Sequence, residues 1–276
     1  MKGSQLKKSI LNLLPEKFKY FLRAKMNLVR VPNEINSAVS DLFPFRIEDG
    51  WETHFELLNV PLLIDPVNQS DVSYIVRFVF FDENGKFIFE WSTEQKGSFR
   101  RTISINELLN GIIFSGNGTF ACFHENYLSN LISQNAFVAE RGYCGYLNKS
   151  ISKVKGYVHG NLDALAMSKN NKLVCLGKNH FKKREFRLQH QLSGPATYQL
   201  GFVNTSSKVE TLTIELIPND KPITVINKKI PSKGIVWITH GLSIDENVRV
   251  VIYSKLNLPR PIVFRIMDYS FDVFHG

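Results

Sequence analysis

The chain is poor in the residues that anchor most recognisable chemistry. Its 276 residues include three cysteines, Cys122, Cys144 and Cys175, and none stands in a CxxC or a metal-ligand spacing. An odd set of scattered thiols gives no disulfide framework and points to reduced cysteines in a cytosolic compartment. There is no Gly-x-Ser-x-Gly elbow, no phosphate loop and no dinucleotide fingerprint. Gly116-Asn117-Gly118-Thr119 has the glycines but leads into a strand pattern, so no helix N-terminus waits there for a phosphate. No apolar run approaches the roughly 20 residues that would span a bilayer. The N-terminus lacks the apolar core and small-residue cleavage site of a secretory signal.

Acidic residues are scarce in one place. Residues 1–30 hold eight Lys or Arg and one acid, which is +7 of the total +9 and leaves +2 for the other 246 residues. A duplex-binding surface would spread its cations over the folded body, so nucleic acid is disfavoured as a partner. In this arm Leu6, Ile10, Leu13, Leu14, Phe18, Phe21 and Leu22 recur at three- and four-residue steps. That spacing predicts a basic amphipathic helix, broken or restarted at Pro15. Lys7, Lys8, Lys19 and Arg23, with Phe18 and Phe21, would then lie against an anionic membrane surface. The alternative is that the same apolar face packs on the body. The expected location is cytoplasmic and peripheral to a membrane.

Beyond residue 40 the pattern becomes strand-like. Aromatic and β-branched residues come in short runs, as in "YIVRFVFF" (74–81), "KFIFEW" (86–91), "YQLGFV" (198–203) and "VETLTIELI" (209–217). The order of these runs repeats. Tyr74, Val76, Phe78 and Val79 match Tyr198, Leu200, Phe202 and Val203 in spacing, "GTFACF" matches "VRVVIY", and two Arg-to-His endings close the halves at His159 and His275. The expectation is a mainly β protein of two tandem antiparallel, jelly-roll-like sandwiches, 41–163 and 179–276, joined by a connector over 164–178 and preceded by the helical arm over 1–30.

Candidate chemistry follows from the endings. Arg141, Tyr143, Tyr146, Tyr157 and His159 in one half, with Arg260, Phe264, Tyr269 and His275 in the other, combine aromatic faces with planar guanidinium and imidazole. Such sets stack on sugar rings and fix hydroxyl or carboxylate groups; the same aromatics could also simply fill a core. A metal site is a weaker candidate: His54 and Glu56 share a strand face and His124 follows a strand, but no tight His-x-His motif supports them. No cofactor is expected. The functional expectation is a non-catalytic protein that binds a glycan or protein partner, in a setting such as surface-polysaccharide assembly. An enzyme using a groove between the halves is one alternative, and an assembly module pairing through sheet edges is another.

Overall fold

The computed structural model describes residues 35–59, 62, 73–124, 138–140, 142–160, 163–168 and 172–276. The basic arm, with Lys7, Lys8, Phe18, Lys19, Phe21 and Arg23, lies outside the described residues, and so does Arg141.

The chain is mainly β, with five small sheets arranged as a five-blade β-propeller. In spatial order, sheet I holds β12 (Leu173–Cys175), β11 (Asp163–Ser168), β1 (Ile35–Asp41) and β8 (Val138–Glu140). Sheet II holds β2 (Phe43–Arg46), β7 (Asn117–His124), β4 (Tyr74–Asp82) and β5 (Phe87–Gln95). Sheet III holds β10 (Gly156–His159), β9 (Tyr143–Asn148), β3 (Trp51–Leu58) and β6 (Arg100–Ser104). Sheet IV holds β13 (Asn179–Arg187), β19 (Asn247–Leu256), β16 (Glu210–Pro218) and β17 (Thr224–Ile230), and β14 (Leu192–Ser193) also pairs with β19. Sheet V holds β18 (Ile235–Leu242), β15 (Ala196–Val203), β20 (Ile262–Met267) and β21 (Ser270–His275). Strand pairs are antiparallel except β1 with β8. Each sheet draws strands from distant parts of the sequence, so the blades are not simple meanders. A single-turn helix, α1 (Ile105–Asn110), follows β6, capped by Ser104, whose hydroxyl accepts from the Glu107 N–H.

This architecture corrects the expected pair of tandem sandwiches. The doubling breaks where the two hairpins were expected to correspond. β4 and β5 do pair, joined by a turn with Gly85 at φ +72°. β15 and β16 do not pair at all: β15 lies between β18 and β20, whereas β16 lies between β17 and β19. Between them Asn204 is fully buried and donates to the carbonyls of Lys208 and Ile230, turning the chain from one sheet into another. A hairpin and a sheet-to-sheet crossover carry the same strand–turn–strand pattern, so local spacing could not separate them.

The second reason is burial on both faces. On β4, Val76, Phe78 and Phe80 enter one apolar cluster with Phe55, Leu57 and Phe120, while Val79 and Phe81 enter another with Phe123, Leu165 and Met167. On β15, Tyr198, Leu200 and Phe202 face the core shared with sheet IV, and Val203 faces the opposite way. Central strands covered on both sides read as near-continuous apolar runs, and a two-layer sandwich leaves one face wet. The first cluster also contains Ile262, Phe264 and Phe271, so the two halves share a core. Residues expected as a connector supply β11 and β12.

Arg46 sits in that shared core at 5% exposure. Its guanidinium carbon lies 4.4 Å from the Trp51 ring, 4.9 Å from Trp237 and 5.0 Å from Phe264, and it donates to Gln199 Oε1 at 2.6 Å. Burial lowers its pKa to about 10, so the cation persists at neutral pH, held by ring quadrupoles.

Candidate functional site

The two sequence endings form hairpins, β9–β10 and β20–β21, and they meet. β10 and β21 are the edge strands of sheets III and V and run beside each other. Their last residues touch: His275 Nε2 donates to the His159 carbonyl at 2.6 Å, and the two imidazoles lie edge to face with centroids 5.0 Å apart. Below them is a small cavity of about 40 Å³, lined in part by Asp41, Tyr146, His159, Thr205, Arg260 and His275. That volume holds one or two water-sized groups, such as a hydroxymethyl or a carboxylate, and excludes a sugar ring. Burial holds the His275 imidazole below its ordinary pKa, with His159 and Arg260 adding positive charge against the hydrogen bond to the carbonyl.

Outside the cavity, the outward face of sheet III carries the aromatics. Tyr143 is opposite His159, with ring centroids 6.3 Å apart, and is 47% exposed. Tyr157 is opposite Gly145 and 44% exposed. A methyl group at Gly145 would stand 2.6 Å from the Tyr157 ring, so the ring lies over the bare backbone of β9. The Tyr157 hydroxyl donates to Glu56 Oε1 at 3.3 Å. Glu56, buried at 3% exposure, also accepts from Arg100 Nε at 3.0 Å and from Thr102 Oγ1 at 3.0 Å. Burial first, and the neighbouring Glu56 second, raise the Tyr157 pKa, so its phenol stays a donor at neutral pH.

Of the residues singled out from the sequence, Tyr143, Tyr146, His159, Arg260 and His275 gather here. Tyr146 is a core residue rather than an exposed contact: fully buried, its ring 5.0 Å from Phe264, it donates to the Pro44 carbonyl at 2.7 Å and floors the cavity. Burial pushes its pKa well above the usual range. Tyr269 is 91% exposed in the turn between β20 and β21. It stands at the far end of the hairpin from His275, about 20 Å away by strand rise. The metal candidates do not converge. His54 pairs with Glu52 at 3.5 Å, Glu56 is engaged as described, and His124 is buried beside Tyr74, rings 5.6 Å apart, on sheet II. Among the described residues no cluster of three or more His, Cys, Asp or Glu could hold a metal.

Compared with known proteins, the chain matches no protein-family model and no curated sequence. The site must therefore be read from its own chemistry. The sequence marks Tyr157 among the ending aromatics and Glu56 as a metal candidate, but nothing in it joins the two with Arg100. The signal available was the alternation in "GYVH" opposite "YCGY", which places Tyr157 over a glycine once the two runs are paired.

Proposed function

We propose that this is a non-catalytic glycan-binding protein. A sugar ring rests on Tyr157 and Tyr143, and an exocyclic group enters the cavity at His159 and His275. The observation that carries this reading is the half-exposed Tyr157 ring, laid on Gly145 and tethered to the buried Glu56 carboxylate, which the exposed Arg100 and Thr102 also hold. A flat aromatic face beside fixed donors and acceptors suits the C–H face and hydroxyls of a pyranose. The tether supplies preorganisation, since the phenol loses little freedom on binding. The cavity is too small for a ring, which favours stacking outside it.

The reading extends to location. The +7 charge of residues 1–30 supports attraction to an anionic membrane surface, each basic residue near the surface contributing about 1 kcal/mol. Such a protein would fit surface-polysaccharide assembly on the inner face of a membrane.

The test is titration of wild type and Tyr157→Ala with a panel of neutral oligosaccharides, following tyrosine-ring NMR shifts and assaying for released reducing ends. Saturable shifts at Tyr143 and Tyr157, at least tenfold weaker binding in the variant and no turnover support the proposal. Saturable binding that Tyr157→Ala leaves unchanged, no binding at all, or turnover lost in His159→Ala, overturns it.

A further inference from the structure

A second and larger recess lies on the other side of Arg260. Between β13 and β14 the chain leaves the β19 ladder and arches outward over 188–191, where the Leu188 N–H donates to the Val250 carbonyl at 3.2 Å. The arch and the outward face of β19 enclose a groove of about 310 Å³, roomy enough for a sugar unit. Its polar lining is Arg187, Gln189, His190, Gln191, Arg249 and Tyr253, with no carboxylate among its lining residues.

The charges there are unevenly used. Arg187 donates through Nε to Glu185 at 2.6 Å. Glu215 and Glu185 lie close enough to Tyr253 to help burial raise its pKa, so that end of the groove is guarded by carboxylates. The opposite end is different. The Arg249 side chain has no hydrogen-bond or ion-pair partner among the described residues, and the His190 ring makes an edge contact with Phe274, centroids 5.9 Å apart. An unpaired guanidinium, lining the same groove as an imidazole and the Gln191 amide, offers N–H donors suited to an oxyanion.

This groove connects to the first site. Arg260, which lines the cavity under His159 and His275, donates through Nη1 to Gln189 of the groove at 3.2 Å. Phe274, against which His190 packs, is the neighbour of His275 on β21.

We propose that the groove is an oxyanion subsite continuous with the cavity, and that the glycan bound by this protein is acidic, with a carboxylate, phosphate or sulfate of one sugar unit held by Arg249 and His190. This rests on the glycan-binding reading. A chain lying across Arg260 would place one unit on the tyrosines and a charged one in the groove. The guanidinium of Arg249 would take two oxyanion oxygens in a fork, while Glu185 and Glu215 would repel the charge from the Tyr253 end and so fix its position.

The experiment compares binding of oligogalacturonate, a sulfated oligosaccharide and a neutral oligosaccharide of equal length to wild type and to Arg249→Gln/His190→Gln, at low and physiological salt. The expected result is at least tenfold preference of wild type for one of the acidic oligomers, falling as salt rises. The double variant should lose that preference while binding the neutral oligomer as wild type does. The two acidic ligands tell carboxylate from sulfate, and inorganic phosphate as competitor reports on a phosphate ester. Neutral binding with no acidic preference, or a preference that survives in the double variant, overturns the acidic subsite and leaves the glycan reading standing. Failure of every oligomer to bind overturns both. Should the acidic oligomer bind through Arg249 with Tyr157→Ala without effect, the groove stands as an oxyanion site, the continuity with the tyrosines fails, and so does the glycan reading.

Discussion

The Ile235 N–H donates to the Glu83 carbonyl at 3.0 Å, joining the β4–β5 turn of the first half to the turn before β18 in the second. Around this bond the fit is close. Gly85 faces the Ser232 carbonyl, Thr119 Oγ1 donates to the Lys233 carbonyl at 2.5 Å, and the Lys233 ammonium lies 5.5 Å from the Phe81 ring centre. The two halves are thus held together by backbone as well as by shared core.

Gly85→Ala should therefore be among the most damaging single-methyl changes in the protein. The residue has φ +72°, and a Cβ would stand 1.8 Å from the Ser232 carbonyl oxygen, which is backbone and cannot step aside cheaply. The expected cost is about 2–4 kcal/mol in urea unfolding. Gly97→Ala, at φ +71° with open space around it, should cost only about 1 kcal/mol.

Substitution at Gly145 separates platform from fold. Gly145→Ala forces the Tyr157 ring off β9, so oligosaccharide binding should fall at least tenfold although no group that touches ligand is removed. Tyr146→Phe loses the hydrogen bond to Pro44 and should cost about 1 kcal/mol of stability with binding nearly intact. Binding isotherms beside melting curves distinguish the two effects.

Arg46 should behave as a cation packed chiefly against aromatic rings. Arg46→Ala leaves a hole among Trp51, Trp237 and Phe264 and should cost about 3 kcal/mol or more. Arg46→Met fills most of the space without a charge to desolvate, and should be the milder change. Denaturant midpoints of the two variants would show the order.

Stability should fall on mild acidification. The folded pKa of His275 lies below its unfolded value because burial favours the neutral ring. Its stabilising contribution is therefore complete above pH of about 6.5 and is lost as pH drops through the folded value, where the unfolded chain binds the extra proton. The fall in Tm between pH 7.5 and 5 should be smaller in His275→Gln than in wild type. His54 and His180, also lowered chiefly by burial, should leave a residual slope.

Deleting residues 1–30 should abolish co-sedimentation with anionic vesicles while leaving the melting of the body nearly unchanged. A large drop in Tm would assign the arm to the body instead.

The sequence by itself determined the strand runs and the β4–β5 hairpin, because alternation and turn residues act within a few positions. It also marked Tyr143, His159, Arg260 and His275 as candidates. Which strands share a sheet was decided only in the tertiary structure: "YQLGFV–NTSSK–VETLTIELI" could be a hairpin or a crossover, and the choice rests on partners 38 to 63 residues away, such as Ile238, Val263 and Ile252. The apolar runs on β4 and β7 did hold a hint, since a strand apolar at every position has no face left for water. Tyr157, Glu56 and Arg100 needed three strands brought together before they became a site, and Arg249 needed the arch over 188–191. Side-chain chemistry is local to a residue; a binding surface is a property of register, and register is set by the whole fold.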